Sequence, residues 1–208
     1  MNSETASFWD RTAPKYAKKP IKDPKAYAAK LEALRLHLTA SDTVLEVGCG
    51  TGTTALHLAP EVANYTATDR SPAMIKIAEE KRLSGWTSNL SFAVADATKP
   101  IKGAPFDVVM AFSLLHLVDD LPATLYAIHN QLRPGGLFLS KTVCLGEANL
   151  AIRLLVKTLR LVGLAPRVLF LSKAELREAL ITAGFAVEDC RYFNRGSLNP
   201  FFIARRAA

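Results

Sequence analysis

Residues 44–56, VLEVGCGTGTTAL, place Gly48, Gly50 and Gly52 at every second position between an apolar run and a stretch that can become helical. Such a turn lets a ligand approach the main chain closely, where a helix start gathers free N–H groups. Two phosphate-binding chemistries are excluded. A dinucleotide loop needs G-x-G-x-x-G, and its third glycine would fall on Thr53. A Walker A loop needs a Gly-Lys-Ser/Thr that does not follow. Glu46, just before the turn, would also repel a pyrophosphate, so the spacing suits a ligand that brings a positive group for it to attract. Without such a partner a strand-end carboxylate is costly. Two more acids end apolar runs. Asp96 is one; Asp69, 23 positions after Glu46, lies near the separation of a ribose-binding acid in a nucleotide fold. His116, in SLLHLVDD, is the candidate general base.

These residues need strands and helices to hold them. TVLEVG (43–48) reads as a buried strand and TTALHLAP (53–60) as the helix after it. NYTATD (64–69) is the next strand, and Ser71-Pro72 supplies an N-cap and first-turn proline for a helix over 73–83. LSFAVAD (90–96) and FDVVMAFSL (106–114) are further strands, the second almost continuously apolar, as a central parallel strand should be. A helix opens at Asp120-Leu121-Pro122 and runs to about Leu132, Arg133-Pro134-Gly135-Gly136 is a turn, and LFLSKTV (137–143) is a strand. AVEDCRYF (186–193) and FFIARR (201–206), around NRGSLN, form an antiparallel hairpin. The repeated strand–helix–strand units predict an α/β fold: a Rossmann-like, doubly wound, mostly parallel seven-stranded sheet with an antiparallel strand at its C-terminal end.

Three segments stand outside that rhythm. Asp23-Pro24 starts a helix with Tyr27, Leu31, Leu34 and Leu38 on one face, preceded by the irregular FWDRTAPKYAKKPIKD. Ser172 to Glu175 is a capping box for a helix that stops at Gly184. Between them, 148–173 carries Arg153, Lys157, Arg160, Arg167 and Lys173 and no acid. The first three recur at i, i+4 and i+7, opposite Ile152, Leu155, Val156, Leu159 and Val162. Three readings stand: a helix packed on the domain with its basic face in water, a lid over an apolar substrate, or a peripheral membrane contact through 148–171. One domain is expected, with 1–40 as a helical cap, 43–143 as the cofactor-binding core, 148–171 as an insertion and 172–206 as the closing helix and hairpin.

Half the residues are hydrophobic and 26 Lys+Arg face 19 Asp+Glu. That is a globular, basic chain whose charge permits nucleic acid, anionic lipid or acidic small-molecule partners and selects none. Cys49, Cys144 and Cys190, odd in number and flanked by apolar residues, fit buried thiols in a reducing cytosol rather than disulfides or a zinc site, so a cytoplasmic location is expected. MNSETASFWDRTAPKY is polar where a signal peptide needs an apolar core, and no uncharged run reaches the length of a membrane span. The sequence leaves the oligomeric state open.

E-V-G-C-G-T-G (46–52) is similar to the signature of class I S-adenosylmethionine-dependent methyltransferases, of the small-molecule type that includes the quinone and sterol methyltransferases. The resemblance continues in the family's order over about residues 43–206. Asp69 resembles the acid that bonds both ribose hydroxyls, and Asp96 with Ala97 the pair that contacts adenine. FDVVMAFSLLHLVDD (106–120), with Phe112, resembles the fourth strand and the loop bordering the methyl group. LRPGG (132–136) is similar to the turn before the fifth strand, and the hairpin to the family's reversed last strand. The resemblance implies S-adenosylmethionine as cofactor, held by the main chain of Gly48, Cys49, Gly50, Thr51 and Gly52, with Glu46 bridged to its amino acid moiety. Arg70 and Met74 fall on its adenine and ribose side, and a tyrosine at Tyr16's place covers the cofactor and meets its carboxylate. The residues themselves leave other roles open. Asp69 could stabilise the next helix N-terminus, Asp96 could be a turn acid, Met74 core, and Trp9 and Tyr16 anchors of the N-terminal segment.

Methyl transfer from a sulfonium needs a held nucleophile and excluded water more than an elaborate catalytic set. A lid of Trp9, Tyr16 and 148–171 is therefore expected. His116 is the base candidate beside the methyl group, with packing on the cofactor as the alternative. Asp119 and Asp120 beside Asp96 raise a metal site of the catechol-enzyme type, but Asp120 is explained as a helix cap and other ligands are not apparent, so no metal is expected. Nucleic acid is disfavoured as substrate, because AFSL stands where amine-methylating enzymes carry Asn/Asp-Pro-Pro-aromatic and no Cys follows a Pro. The expected acceptor is a small, hydrophobic, lipid-like molecule. The rival class is a non-catalytic binder that keeps the cofactor for regulation or assembly.

Overall fold

In the computed structural model, which describes residues 3–85, 87–193 and 198–207, seven strands form one sheet. They are β1 (Thr43–Val47), β2 (Asn64–Asp69), β3 (Leu90–Val94), β4 (Phe106–Phe112), β5 (Leu132–Lys141), β6 (Phe185–Arg191) and β7 (Phe201–Arg206). Their order is β3-β2-β1-β4-β5-β7-β6. The first five pair in parallel, and β7 runs antiparallel to both its neighbours. Chain order reverses between β1 and β4, and such a switch point opens a crevice at the carboxyl ends of the strands.

The helices are α1 (Ser3–Ala17), α2 (Pro24–Arg35), α3 (Thr53–Leu58), α4 (Pro72–Gly85), α5 (Leu121–Gln131), α6 (Leu150–Leu161) and α7 (Lys173–Thr182). Their starts follow local chemistry: the Asp23 and Asp120 carboxylates each accept an N–H three residues on at 2.9 Å, and Ser172 with Glu175 closes a capping box. Successive strand residues point to opposite faces. On β4, Val109 and Ala111 join a core with Leu125, Ile128, Leu176 and Phe138. Val108 and Met110 join the other, with Leu34, Leu58 and Leu139. Both faces of the sheet are thereby covered, as a parallel sheet requires.

The structure departs from the sequence expectations in four places. The N-terminal stretch is not irregular: it forms α1, with Pro14 inside it and Ala13 fully buried. Pro14 and the scattered charges hide its period, whereas contacts with α4 fix it. Second, β5 begins five residues early, at Leu132, because Leu132 already pairs with Phe106 before a bulge and Arg133 pairs its guanidinium with Asp107 at 2.8 Å. Third, of the three readings of 148–171, close packing of α6 on the domain is met only in part, with Val156 and Leu159 half-buried. None of its residues is buried, Leu161 is 87% exposed and Leu150 69%, while Arg153 and Lys157 turn toward the Phe170 ring. Fourth, only Cys144 is fully buried; Cys49 and Cys190 are half-buried, and all three are free thiols. Of the hairpin turn, residues 194–197 lie outside the described residues. Among the described residues no helix is long and apolar enough to cross a membrane.

Candidate functional site

The crevice holds a cavity of about 1570 Å³, larger than the ~300–1,000 Å³ of an ordinary small-molecule site. Its floor is the series of loops that leave β1, β2, β3 and β4, with Lys141 at the end of β5. Trp9, Tyr16 and the α1–α2 connection supply another wall.

The glycine turn after β1 is held from below and open above. Gly50 has φ +56 and no protein atom within 4 Å of the place a Cβ would take, so its ligand side is clear. Gly52, at φ +72, could carry no side chain, because a Cβ would stand 2.5 Å from the Phe92 ring. Lys81 of α4 donates to the Thr51 carbonyl at 3.0 Å and hydroxyl at 2.9 Å, pinning the turn. Sequence reasoning missed Lys81, since a lysine on a charged helix face reads as solvated.

Asp69 ends β2 with both oxygens engaged by main chain: Gly50 N–H donates to Oδ2 at 2.8 Å and Ser71 N–H to Oδ1 at 2.9 Å. Burial raises its carboxyl above the usual value, opposed by those N–H groups. Each oxygen keeps a lone pair for a further donor, as paired ribose hydroxyls require. Ser71 is not a lone helix cap: its hydroxyl donates to Asp10 Oδ1 of α1 at 2.5 Å, and the Ala73 N–H reaches the same oxygen at 3.2 Å.

Glu46 is 2% exposed but has a partner already, the Tyr65 hydroxyl at 2.9 Å. The buried Lys30 ammonium also faces it within the cavity wall, bonded to the Thr54 hydroxyl at 3.2 Å and 4.3 Å from the Phe112 ring centroid. Burial raises Glu46 to about 7 and lowers Lys30 to about 8, while their mutual attraction opposes both shifts. The expectation that Glu46 lacks a partner without ligand is thus corrected. Lys30 could have been found: it sits in the Tyr27–Leu31–Leu34 stripe, a lysine on an apolar helix face.

Beyond β3, Asp96 accepts from the Thr98 N–H at 3.0 Å and hydroxyl at 2.8 Å. Burial works to raise its carboxyl, but those bonds and the Arg70 charge hold it below the usual range. Arg70 stands 3.9 Å from Asp96 and 3.2 Å from Asp119, and Arg167 reaches Asp119 at 3.6 Å. This row of alternating charges ties the loops after β2, β3 and β4 to the segment after α6. Asp120 serves as the α5 cap.

The cavity therefore brings together Tyr16, Glu46, Gly48, Cys49, Gly50, Thr51, Asp69, Arg70, Met74, Asp96, Ala97 and Phe112. Gly52 lies behind the turn. His116 does not reach the cavity: Ser113, Leu114, Leu117 and Val118 make that wall, while His116 is 8% exposed beneath it with Nδ1 unpaired. Burial lowers its imidazole to about 4. No residue of 148–171 lines the cavity either.

A strand–glycine turn–helix with a carboxylate at the next strand end, on a doubly wound sheet, is the arrangement of an enzyme that holds a nucleoside-type cofactor. Residues 17–189 match a family described as methyltransferase domain. The chain is similar to the ubiquinone biosynthesis O-methyltransferase of Xylella fastidiosa (strain 9a5c), 31% identical over 201 residues that cover 89% of this chain and 76% of that protein. It is also similar to the reducing polyketide synthase Preu2 of Preussia isomera, 34% identical over 122 residues, where the match takes 53% of this chain and spans only 5% of that protein. The magnesium protoporphyrin IX methyltransferase of Synechocystis PCC 6803, solved with bound SAH, shares the fold, with a TM-score of 0.72 and 17% identity over 98% of this chain and 95% of that one. This chain belongs to the class I S-adenosylmethionine-dependent methyltransferases, and S-adenosylmethionine is its cofactor. The residues present fit that group, with an open glycine turn, a carboxylate with free lone pairs 2.8 Å from it, and a cavity of sufficient size.

Proposed function

We propose that this enzyme methylates a small, predominantly apolar acceptor bound at the β4–β5 end of the cavity. The observation that carries this is a cavity with room beyond one ligand, whose lining just past β4 includes the apolar Phe112, Leu114, Leu117 and Val118. When bound, S-adenosylmethionine supplies a methyl group on a sulfonium, a leaving group that needs no activation. The chain's own work is then to bind and to exclude water. Asp69 receives the ribose hydroxyls, and the turn from Gly48 to Gly52 presents main-chain amides. Asp96, Ala97, Arg70 and Met74 border the adenine. Glu46 and Lys30 keep a balanced pair at the methionine end, and Trp9 with Tyr16 covers it. His116 supports the wall from beneath, its carbonyl accepting the Leu169 N–H at 2.7 Å.

The outward apolar face of α6, with Arg153, Lys157 and Arg160 beside it, supports an acceptor met at a lipid surface. The likeness to the Xylella ubiquinone biosynthesis O-methyltransferase supports a quinone-like acceptor. Three unpaired cysteines support a reducing, cytoplasmic setting.

Calorimetry and a turnover assay test this together. S-adenosylhomocysteine should bind, Asp69→Ala should weaken it roughly 10–100-fold, the loss of a charged hydrogen bond, and labelled cofactor should methylate an apolar component of a metabolite extract. Cofactor binding with no methylated product from any extract would favour the non-catalytic binder instead.

A further inference from the structure

The cavity divides along the sheet. The cofactor residues follow β1, β2 and β3, on one side of the switch point. Phe112 and Ser113 end β4, and Lys141 ends β5, on the other side. Among the polar side chains that line the cavity, Asp23 and Lys30 stand within electrostatic reach of Lys141, and three, Ser113, Lys141 and Asn199, lie at these strand ends.

Their placement is fixed by main-chain bonds. Ser113 has φ 54, a left-handed conformation that non-glycine residues adopt rarely and that marks a position held by its surroundings. Its N–H donates to the Lys141 carbonyl at 2.7 Å, while Phe112 and Lys141 are partners across the strands. Asn199 is held beside the end of β5, because Cys144 N–H donates to the Leu198 carbonyl at 2.7 Å and Thr142 N–H to the Pro200 carbonyl at 3.3 Å.

Among the described residues, none of these three side chains is engaged by another. Lys30, by contrast, is committed to Thr54 and balances Glu46. The Lys141 ammonium is partly withdrawn from water, which lowers its pKa, and Asp23 only partly opposes this. A half-desolvated cation attracts an anion more strongly than one in bulk water. An ammonium, a hydroxyl and an amide along one wall supply the kinds of donor that suit an oxygen carrying negative charge.

We propose that this half of the cavity receives the acceptor as an acid, with a carboxylate or phenolate oxygen on Lys141 Nζ and with the Ser113 hydroxyl and Asn199 amide as further donors. The apolar wall takes the rest of the molecule. No histidine lines the cavity among the described residues, and an acceptor that arrives ionised requires no proton to be removed there. This rests on the methyl-transfer reading above.

Calorimetry on the enzyme loaded with S-adenosylhomocysteine, with para-octylbenzoate and para-octylbenzamide as probes at neutral pH, tests it. The benzoate should bind about tenfold or more tighter, the effect of one charge-assisted hydrogen bond. Lys141→Ala should bring the two probes to parity, Lys141→Arg should restore part of the preference, and S-adenosylhomocysteine should bind all three proteins alike. Equal affinity in the wild type, no binding of either probe, or a preference that survives Lys141→Ala overturns the proposal. Failure of S-adenosylhomocysteine to bind the wild type overturns the reading beneath it and the proposal with it.

Discussion

His116 shows how a residue can hold a plausible address and the wrong depth. Chain position puts it just past β4, yet it is buried, does not line the cavity and leaves Nδ1 unpaired. Burial takes its imidazole from 6.5 down to about 4. A depressed value means that His116 contributes stability fully above pH 6.5, and that this contribution is lost as pH falls through about 4. Urea unfolding across that window should show the wild type losing about 3 kcal/mol through this residue, from 1.36 kcal/mol per unit. His116→Leu should flatten that limb; an unchanged acid slope would contradict it. Depth is what single residues do not advertise. Glu46, Asp69 and Asp96 stood out in the sequence because each lies at or near the end of an apolar run, and the structure brings all three to the cavity. Lys81 did not, because a lysine on a charged helix face does not announce the carbonyl it will reach, whereas the place of Lys30 on an apolar face was a signal left unread.

At the scale of elements, α1 is tied to the site by one carboxylate. Asp10 Oδ1 takes both the Ser71 hydroxyl and the Ala73 N–H, so a side chain from one helix completes the cap of another. Ser71 in turn neighbours Asp69, whose Oδ1 holds the Ser71 N–H at 2.9 Å. Asp10→Ala should lower stability by about 1 kcal/mol, the usual loss of a cap, and should also weaken S-adenosylhomocysteine binding. Thermal melts with and without that ligand separate the two effects, and equal shifts in both would confine Asp10 to folding. The strands β1, β2 and β7 were readable to within a residue because apolar runs there stop against polar turns. The start of β5 was not, since Arg133-Pro134-Gly135-Gly136 reads as a turn in isolation and becomes strand only by pairing with β4. The N-terminal helix was illegible for a like reason: its support comes from α4, far along the chain.

For the molecule as a whole, the α/β class and strand sequence followed from the rhythm of apolar runs, whereas the orientation of α6 did not. Periodicity gives two faces to a helix and is silent about which one meets the protein. Here Leu150, Leu154 and Leu161 face outward and the cations lean on Phe170. An exposed apolar face flanked by positive charge suits the boundary of an anionic bilayer. The enzyme should co-sediment with phosphatidylglycerol vesicles and much less with phosphatidylcholine vesicles. Replacing Leu154 and Leu161 together by serine should weaken that association tenfold or more, at about 0.8 kcal/mol per buried methylene lost. Wild-type protein left in the supernatant with both lipids would refute the lipid contact.

The two feet of that helical excursion touch. Gly146 N–H donates to the Leu171 carbonyl at 2.8 Å, and Leu169 is moored to the His116 carbonyl at 2.7 Å. Everything from 147 to 170 thus leaves and re-enters the fold through one narrow gate, and changes of length there cost little closure entropy. Such a hinge-free stem makes the excursion a graftable cassette. The sheet, the glycine turn and Asp69 can stay as they are while the excursion alone is exchanged to meet a different surface.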